Sequence, residues 1–173
     1  NIDRPYQQQA IKKVVEGFKL HDRGKLIMAC GTGKTLVTLW IKEELKPKTT
    51  LVLLNSLNLI SQTLFEWTTH SKDPFEVLCI CSDTTVGKQD RNEDMKVTDA
   101  YFDVTSDVSI ISQFLKLDKP KVIFCTYQSS DLVRQAQKKE EIDFVICDEA
   151  HRCTGLAKST FTRVLEDKNI KAN

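Results

Sequence analysis

The 173-residue sequence lacks an excess of either charge: Lys plus Arg number 25 and Asp plus Glu 24, a net charge of +1. That balance excludes a tail-like polybasic nucleic-acid binder, whose affinity rests on many uncompensated phosphate contacts, while leaving room for a local basic patch. No apolar run approaches the roughly 18–20 residues of a membrane span. The opening Asn1-Ile2-Asp3-Arg4-Pro5 carries no apolar stretch of the signal-peptide kind. Internal repeats and low-complexity tracts are absent too. The six cysteines (Cys30, Cys79, Cys81, Cys125, Cys147 and Cys153) form no C-x-x-C pair, and Cys79-x-Cys81 has no matching second pair, which speaks against zinc. What remains is 40% hydrophobic and 28% charged, too apolar for a disordered chain. The expectation is one cytoplasmic domain over residues 1–173, with no membrane partner and with Cys79, Cys81, Cys125 and Cys147 behaving as small buried hydrophobes.

Periodicity alternates between two kinds of segment. Residues 5–20 place Ala10, Val14 or Val15, and Phe18 at helical spacing, with Pro5 in the first turn. Residues 25–29 read as a short apolar strand running into a glycine loop, and residues 34–45 as a helix stopped before Pro47. Strand 50–54 is followed by helix 56–68, with Ser56 as N-cap, and by strand 75–81. Residues 82–105 are polar, without clear periodicity, and read as a long surface connection. Helix 106–116, strand 121–126, helix 130–140, strand 142–147 and helix 157–166 complete the pattern. Short apolar strands alternating with amphipathic helices predict a three-layer α/β fold with an open, mostly parallel sheet. Ligands of such sheets gather at the carboxyl ends of the strands.

Two motifs follow strand candidates at that edge. Met28-Ala-Cys-Gly-Thr-Gly-Lys-Thr35 is a strand-to-helix loop ending in GKT. Gly31 and Gly33 permit backbone angles and close approaches that a Cβ would block. The N–H groups of Gly31, Thr32 and Gly33 can then face phosphates, helped by the positive end of the following helix. Lys34 can reach the β- and γ-phosphates and the Thr35 hydroxyl can bind Mg²⁺. The first glycine of the strict G-x-x-x-x-G-K-[ST] pattern is Met28 here. The second motif, Phe144-Val-Ile-Cys-Asp-Glu-Ala-His151, delivers two adjacent carboxylates at the end of an apolar strand. Asp148 is positioned to hold Mg²⁺ and Glu149 to orient and deprotonate the attacking water. His151 can hydrogen-bond toward the γ-phosphate side or a partner domain.

At these residues the sequence resembles the first RecA-like ATPase domain of superfamily 2 helicases and translocases of the DEAH-box kind, from Arg4 to about Asn169. Asp148–His151 followed by Arg152-Cys-Thr-Gly155 is most similar to the helicase-like motors of restriction-modification enzymes, type ISP above all, with types I and III beside it. The resemblance implies a P-loop NTPase using ATP and Mg²⁺. It also makes Arg4-Pro-Tyr-Gln7 similar to an element whose glutamine reads adenine, with Arg4 or Tyr6 stacking on the base; Gln7 offers the donor and acceptor that adenine requires. Leu53-Leu-Asn-Ser56 with Gln62, and Thr126-Tyr127-Gln128-Ser129, resemble loops that face the nucleic-acid backbone. Leu54-Asn55 stands where the family usually writes Val-Pro. Read without the family, Ser56 is equally a helix cap and Thr126 a strand end.

The family also carries a Ser/Thr-Ala-Thr element after the DEAH strand and a second RecA-like domain supplying arginine fingers, worth roughly 10³–10⁵ in rate. Neither occurs in these 173 residues. The resemblance therefore implies a fragment that binds ATP but hydrolyses it slowly without the second domain. Its implied partner is nucleic acid, DNA before RNA. Other classes that carry a GKT loop are a non-motor nucleotide switch and an RNA helicase; a phosphate-loop kinase is disfavoured by Asp148-Glu149-Ala-His151.

Overall fold

The apolar runs become five parallel strands in the computed structural model, which describes residues 4–82, 102–137 and 142–148. They are β1 (Thr49–Leu54), β2 (Glu76–Ile80), β3 (Val104–Thr105), β4 (Lys121–Thr126) and β5 (Phe144–Cys147), in the order β3-β2-β4-β1-β5. The sheet is all parallel among the described residues, where the sequence predicts a mostly parallel one. β1 lies between β4 and β5 in a register that pairs Leu53 with Cys125 on one side and with Cys147 on the other.

The helices are α1 (Pro5–Phe18), α2 (Lys34–Leu45), α3 (Leu57–His70), α4 (Val108–Leu115) and α5 (Ser130–Ala136). Successive side chains of a strand point to opposite faces, so each inner strand feeds two cores. Leu51, Leu53, Ile123 and Cys125 join Ile111, Leu115 and Val133 of α4 and α5. Val52, Leu54, Val122 and Phe124 join Leu39, Ile60, Leu64 and Trp67 of α2 and α3. Both strands are buried along their whole length, which is why they read as unbroken apolar runs rather than alternating ones. A third cluster sets Val37 and Ile41 of α2 against Phe144 and α1, with the Phe18 and Phe144 rings edge-on at 5.8 Å.

The differences from the sequence reading are local. Residues 25–29 are not a strand, since no described strand pairs with them and β5 forms the edge of the described sheet. Their apolar pattern has another use: Leu26 and Met28 pack on the third cluster, while Ile27 is 81% exposed. The two-residue β3 lies inside the stretch read as a connection and is too short to show periodicity. Residues 83–101 of that stretch, like the helix expected over 157–166, lie outside the described residues. α4 starts at Val108 because Asp107 caps it, its carboxylate accepting from the Ser109 N–H at 2.7 Å. The Ser109 hydroxyl also donates to this carboxylate at 2.6 Å, and the side-chain and backbone bonds together hold the Asp107 carboxyl below its ordinary pKa. α5 ends at Ala136, short of the expected residue 140, and Tyr127–Ser129 form a 3₁₀ turn before it. No helix among the described residues is long and apolar enough to cross a membrane.

Candidate functional site

The carboxyl edge of the sheet is assembled from three chain segments. α2 is joined to β1 by residues 46–48 and runs back along it, with Leu39 packed in one cluster with Val52 and Leu54. A 12-residue helix is about 18 Å long and a six-residue strand about 20 Å. Lys34 and Thr35, on the first turn of α2, therefore return to the level of the carboxyl end of β1. Asp148 reaches the same level just after β5, where its N–H donates to the Leu53 carbonyl at 3.0 Å.

The glycine loop takes the backbone form its composition suggests. Gly31 has φ +72° and Gly33, the N-cap of α2, φ +79°, both in the left-handed region that Cβ-bearing residues avoid. A Cβ on Gly33 would stand 2.6 Å from Gln7 Nε2, so the loop is tight as well as turned. Thr32 braces it by donating its hydroxyl to the Ala29 carbonyl at 2.6 Å.

Two of the expected site residues close over this loop. Gln7 is 6% exposed; its Nε2 donates to the Thr32 carbonyl at 2.9 Å and its Oε1 accepts from the Arg4 N–H at 2.9 Å. The Tyr6 hydroxyl donates to the same carbonyl at 3.3 Å, and Arg4 Nη1 lies 3.4 Å from that hydroxyl. These contacts use one amide hydrogen and one lone pair of Gln7, leaving one of each for a ligand. Behind the loop, Trp67 Nε1 donates to the Thr35 carbonyl at 3.0 Å and Thr38 Oγ1 to the same atom at 2.8 Å. The indole is wholly buried, edge-on to Phe124 at 5.5 Å. Trp67 lies on the helix read over 56–68; its tie to Thr35 is tertiary and left no signal in the sequence.

The residues expected to face nucleic acid divide by exposure. Ser56 caps α3, accepting from the Leu59 N–H at 3.3 Å. Gln62 is exposed, 3.5 Å from Glu66 Oε1. Thr126 and Ser129 are buried and bonded to one another at 2.8 Å, and Ser129 Oγ also accepts from the Ser82 N–H at 2.7 Å. Tyr127 is buried, its hydroxyl donating to the Asp148 carbonyl at 2.7 Å, whereas Gln128 between them is exposed. Glu149 and His151 lie outside the described residues.

The donor set suits a magnesium–nucleotide pair. A hydroxyl (Thr35) and a carboxylate (Asp148) are hard oxygen donors, and the cradle beside them fits phosphate. Among the described residues there is no group of three or more His, Cys, Asp or Glu that could cage a metal alone. Among the described cysteines, Cys79 and Cys125 are buried and free, and Cys30, in the loop, is exposed. Burial pushes the Cys79 thiol up to about 12 and Cys125 well above its ordinary range.

A family model described as "Type III restriction enzyme, res subunit" matches residues 2–172. A nuclease-deletion mutant of the type ISP restriction-modification enzyme LlaGI, solved in complex with a DNA substrate mimic, superposes with TM-score 0.75 at 33% identity, over 97% of this chain and 16% of that one. The ATP-dependent type ISP restriction-modification enzyme LlaBIII, bound to DNA, superposes with TM-score 0.80 at 32% identity, over 97% of this chain and 12% of that one. The TFIIH basal transcription factor complex helicase/translocase XPB subunit of Trypanosoma brucei brucei (strain 927/4 GUTat10.1) is 30% identical over 79 residues, 44% of this chain and 8% of that protein. The chain thus spans a small part of the length of each of these relatives.

Proposed function

This chain belongs to the type III restriction enzyme res-subunit family, and from that premise we propose that it is the ATP-binding domain of a superfamily 2 DNA translocase, coupling ATP hydrolysis to movement along DNA within a restriction-modification enzyme. What supports the proposal is that the Gly31–Gly33 loop, Lys34 and Thr35 precede and open α2 at the level of the carboxyl end of β1, where the Asp148 N–H bonds the Leu53 carbonyl. DNA as the track is supported by the two type ISP relatives, whose structures hold DNA or a DNA mimic. The cytoplasm, where a restriction enzyme meets DNA, is the compartment this reading implies.

In this reading ATP lies across the loop. The N–H groups of Gly31, Thr32 and Gly33 surround its phosphates, and the N-terminal end of α2 favours their charge. Lys34 binds the β- and γ-phosphate oxygens, while Thr35 and Asp148 hold Mg²⁺. When bound, Mg²⁺ neutralises charge on the β- and γ-oxygens. Gln7 uses its remaining donor and acceptor on the adenine edge, and Arg4 or Tyr6 covers the base. Glu149 takes the proton of the attacking water, and His151 hydrogen-bonds toward the γ-phosphate or a partner domain. Gln62 and Gln128 give the track exposed amides, and Ser56, Thr126, Tyr127 and Ser129 hold those loops in place. A second RecA-like domain supplies arginine fingers, so the isolated chain binds ATP and turns it over slowly.

The test is ATP turnover by the longer parent chain without nucleic acid and with single-stranded DNA, duplex DNA or RNA, using Glu149→Gln as control. Stimulation by DNA that the control abolishes is expected. Stimulation by RNA alone would make it an RNA helicase, and turnover indifferent to every polymer would leave a nucleotide switch.

A further inference from the structure

The Tyr127 hydroxyl lies outside the glycine loop, yet it bonds a residue of the candidate site. Tyr127 follows β4, Asp148 follows β5, and β1 lies between those strands. The phenol therefore reaches across the carboxyl end of β1 to donate to the Asp148 carbonyl at 2.7 Å, with the ring 5% exposed. That carbonyl belongs to Asp148 itself, so the bond bears on how the chain just after β5 presents the Asp148 carboxylate. A second hold on the same residue comes from the Leu53 carbonyl, which accepts the Asp148 N–H.

At its other end Tyr127 sits in a turn tied down by hydroxyls. Ser130 Oγ donates to the Tyr127 carbonyl at 2.8 Å, Thr126 Oγ1 donates to Ser129 Oγ at 2.8 Å, and Ser82 approaches Ser129 Oγ with both its N–H (2.7 Å) and its hydroxyl (2.8 Å). Gln128, at the middle of this turn, is exposed. A short braced turn thus links the exposed Gln128 to the Tyr127 ring, whose hydroxyl ends on the Asp148 carbonyl.

We propose that Tyr127 is a positioning residue that couples occupancy of the exposed Gln128 turn to the placement of the Asp148 carboxylate in the magnesium site. The inference deepens the translocase reading and rests on it. Tyr127→Phe keeps the buried ring and removes only the hydroxyl, leaving the Asp148 carbonyl without that donor.

The parent chain and its Tyr127→Phe variant are compared in four measurements: Mn²⁺ affinity with a non-hydrolysable ATP analogue, read by electron paramagnetic resonance; duplex-DNA affinity; DNA-stimulated ATP turnover; and Tm. The expected result is a loss of several- to tenfold in both Mn²⁺ affinity and stimulated turnover, the scale of one hydrogen bond, with DNA affinity and Tm little changed. Weakened DNA affinity with Mn²⁺ affinity intact would overturn the inference, because Tyr127 would then contact DNA itself. So would a Tm drop of more than about 10 °C with Mn²⁺ affinity intact, since the hydroxyl would serve folding alone. No change in any readout would also overturn it. If DNA fails to stimulate the wild type, the translocase reading falls, and the Mn²⁺ titration still decides whether Tyr127 positions Asp148.

Discussion

Gly33→Ala tests the loop geometry at one atom. The residue has φ +79° and ψ 35°, a conformation that costs a Cβ-bearing residue roughly 1–2 kcal/mol. The added methyl would also stand 2.6 Å from Gln7 Nε2, inside van der Waals contact. Gln7 cannot yield freely, because it is buried and bonded at both ends. Moving it breaks the bond to the Thr32 carbonyl, worth about 0.5–1.5 kcal/mol. The expected destabilisation is about 2–3 kcal/mol, read as a lowered urea midpoint at constant m. A double-mutant cycle separates the two causes. With Gln7→Ala in place the clash disappears, so the second substitution costs roughly 1 kcal/mol less than it does alone. Strict additivity, or a Gly33→Ala cost below about 0.5 kcal/mol, would refute the reasoning.

Three further predictions concern the scaffold. Asp143 fastens the start of β5 to the start of β1, its Oδ2 accepting from the buried Thr49 N–H at 2.8 Å while its own N–H donates to the Thr49 carbonyl at 3.0 Å. Asp143→Ala leaves that N–H unsatisfied and costs about 1–3 kcal/mol in urea melts, whereas Asp143→Asn keeps an acceptor and costs less; equal costs would contradict this. Thr50 Oγ1 is buried and finds no partner among the described residues, so the isosteric Thr50→Val is expected to stabilise by about 1–2 kcal/mol, and a loss of stability would show that the hydroxyl is satisfied. The Cys79 thiol is raised by burial from 9.0 to about 12, so the folded chain keeps a proton that the unfolded chain releases. Its stability contribution is full below about pH 9 and is lost as pH rises toward 12. In native buffer at pH 8, mass-resolved alkylation should reach Cys30 well before Cys79 or Cys125, and equal rates would contradict burial of the last two.

Much of the frame was legible because local and tertiary demands coincide. α2 occupies the predicted 34–45: a glycine N-cap opens it, and Lys46 closes it in the left-handed form just before Pro47. β1 and β4 read as strands because both their faces are buried. Residues 25–29 have the same local look, but a strand needs a ladder partner, and no described strand sits beside them. β3 could not be read, since two residues carry no period. In the site, the turn glycines, Lys34, Thr35 and Asp148 were legible because their chemistry dictates residue type at fixed spacing. The clasp of Gln7 on Thr32, the Trp67 bond to Thr35 and the Tyr127 bond to Asp148 join residues 21–32 positions apart. Only the sheet order and helix packing bring those pairs together. Membership of the res-subunit family and the likeness to helicase RecA-like domains fit this frame.

Coupled movement on DNA is measured directly by displacement of a third strand from duplex DNA by the parent chain. The triplex is set at increasing distances from the loading point, with ATP present. The account predicts an ATP-dependent release whose lag grows in proportion to distance and which Lys34→Ala or Glu149→Gln abolishes. DNA-stimulated ATP consumption with no release at any distance would contradict it.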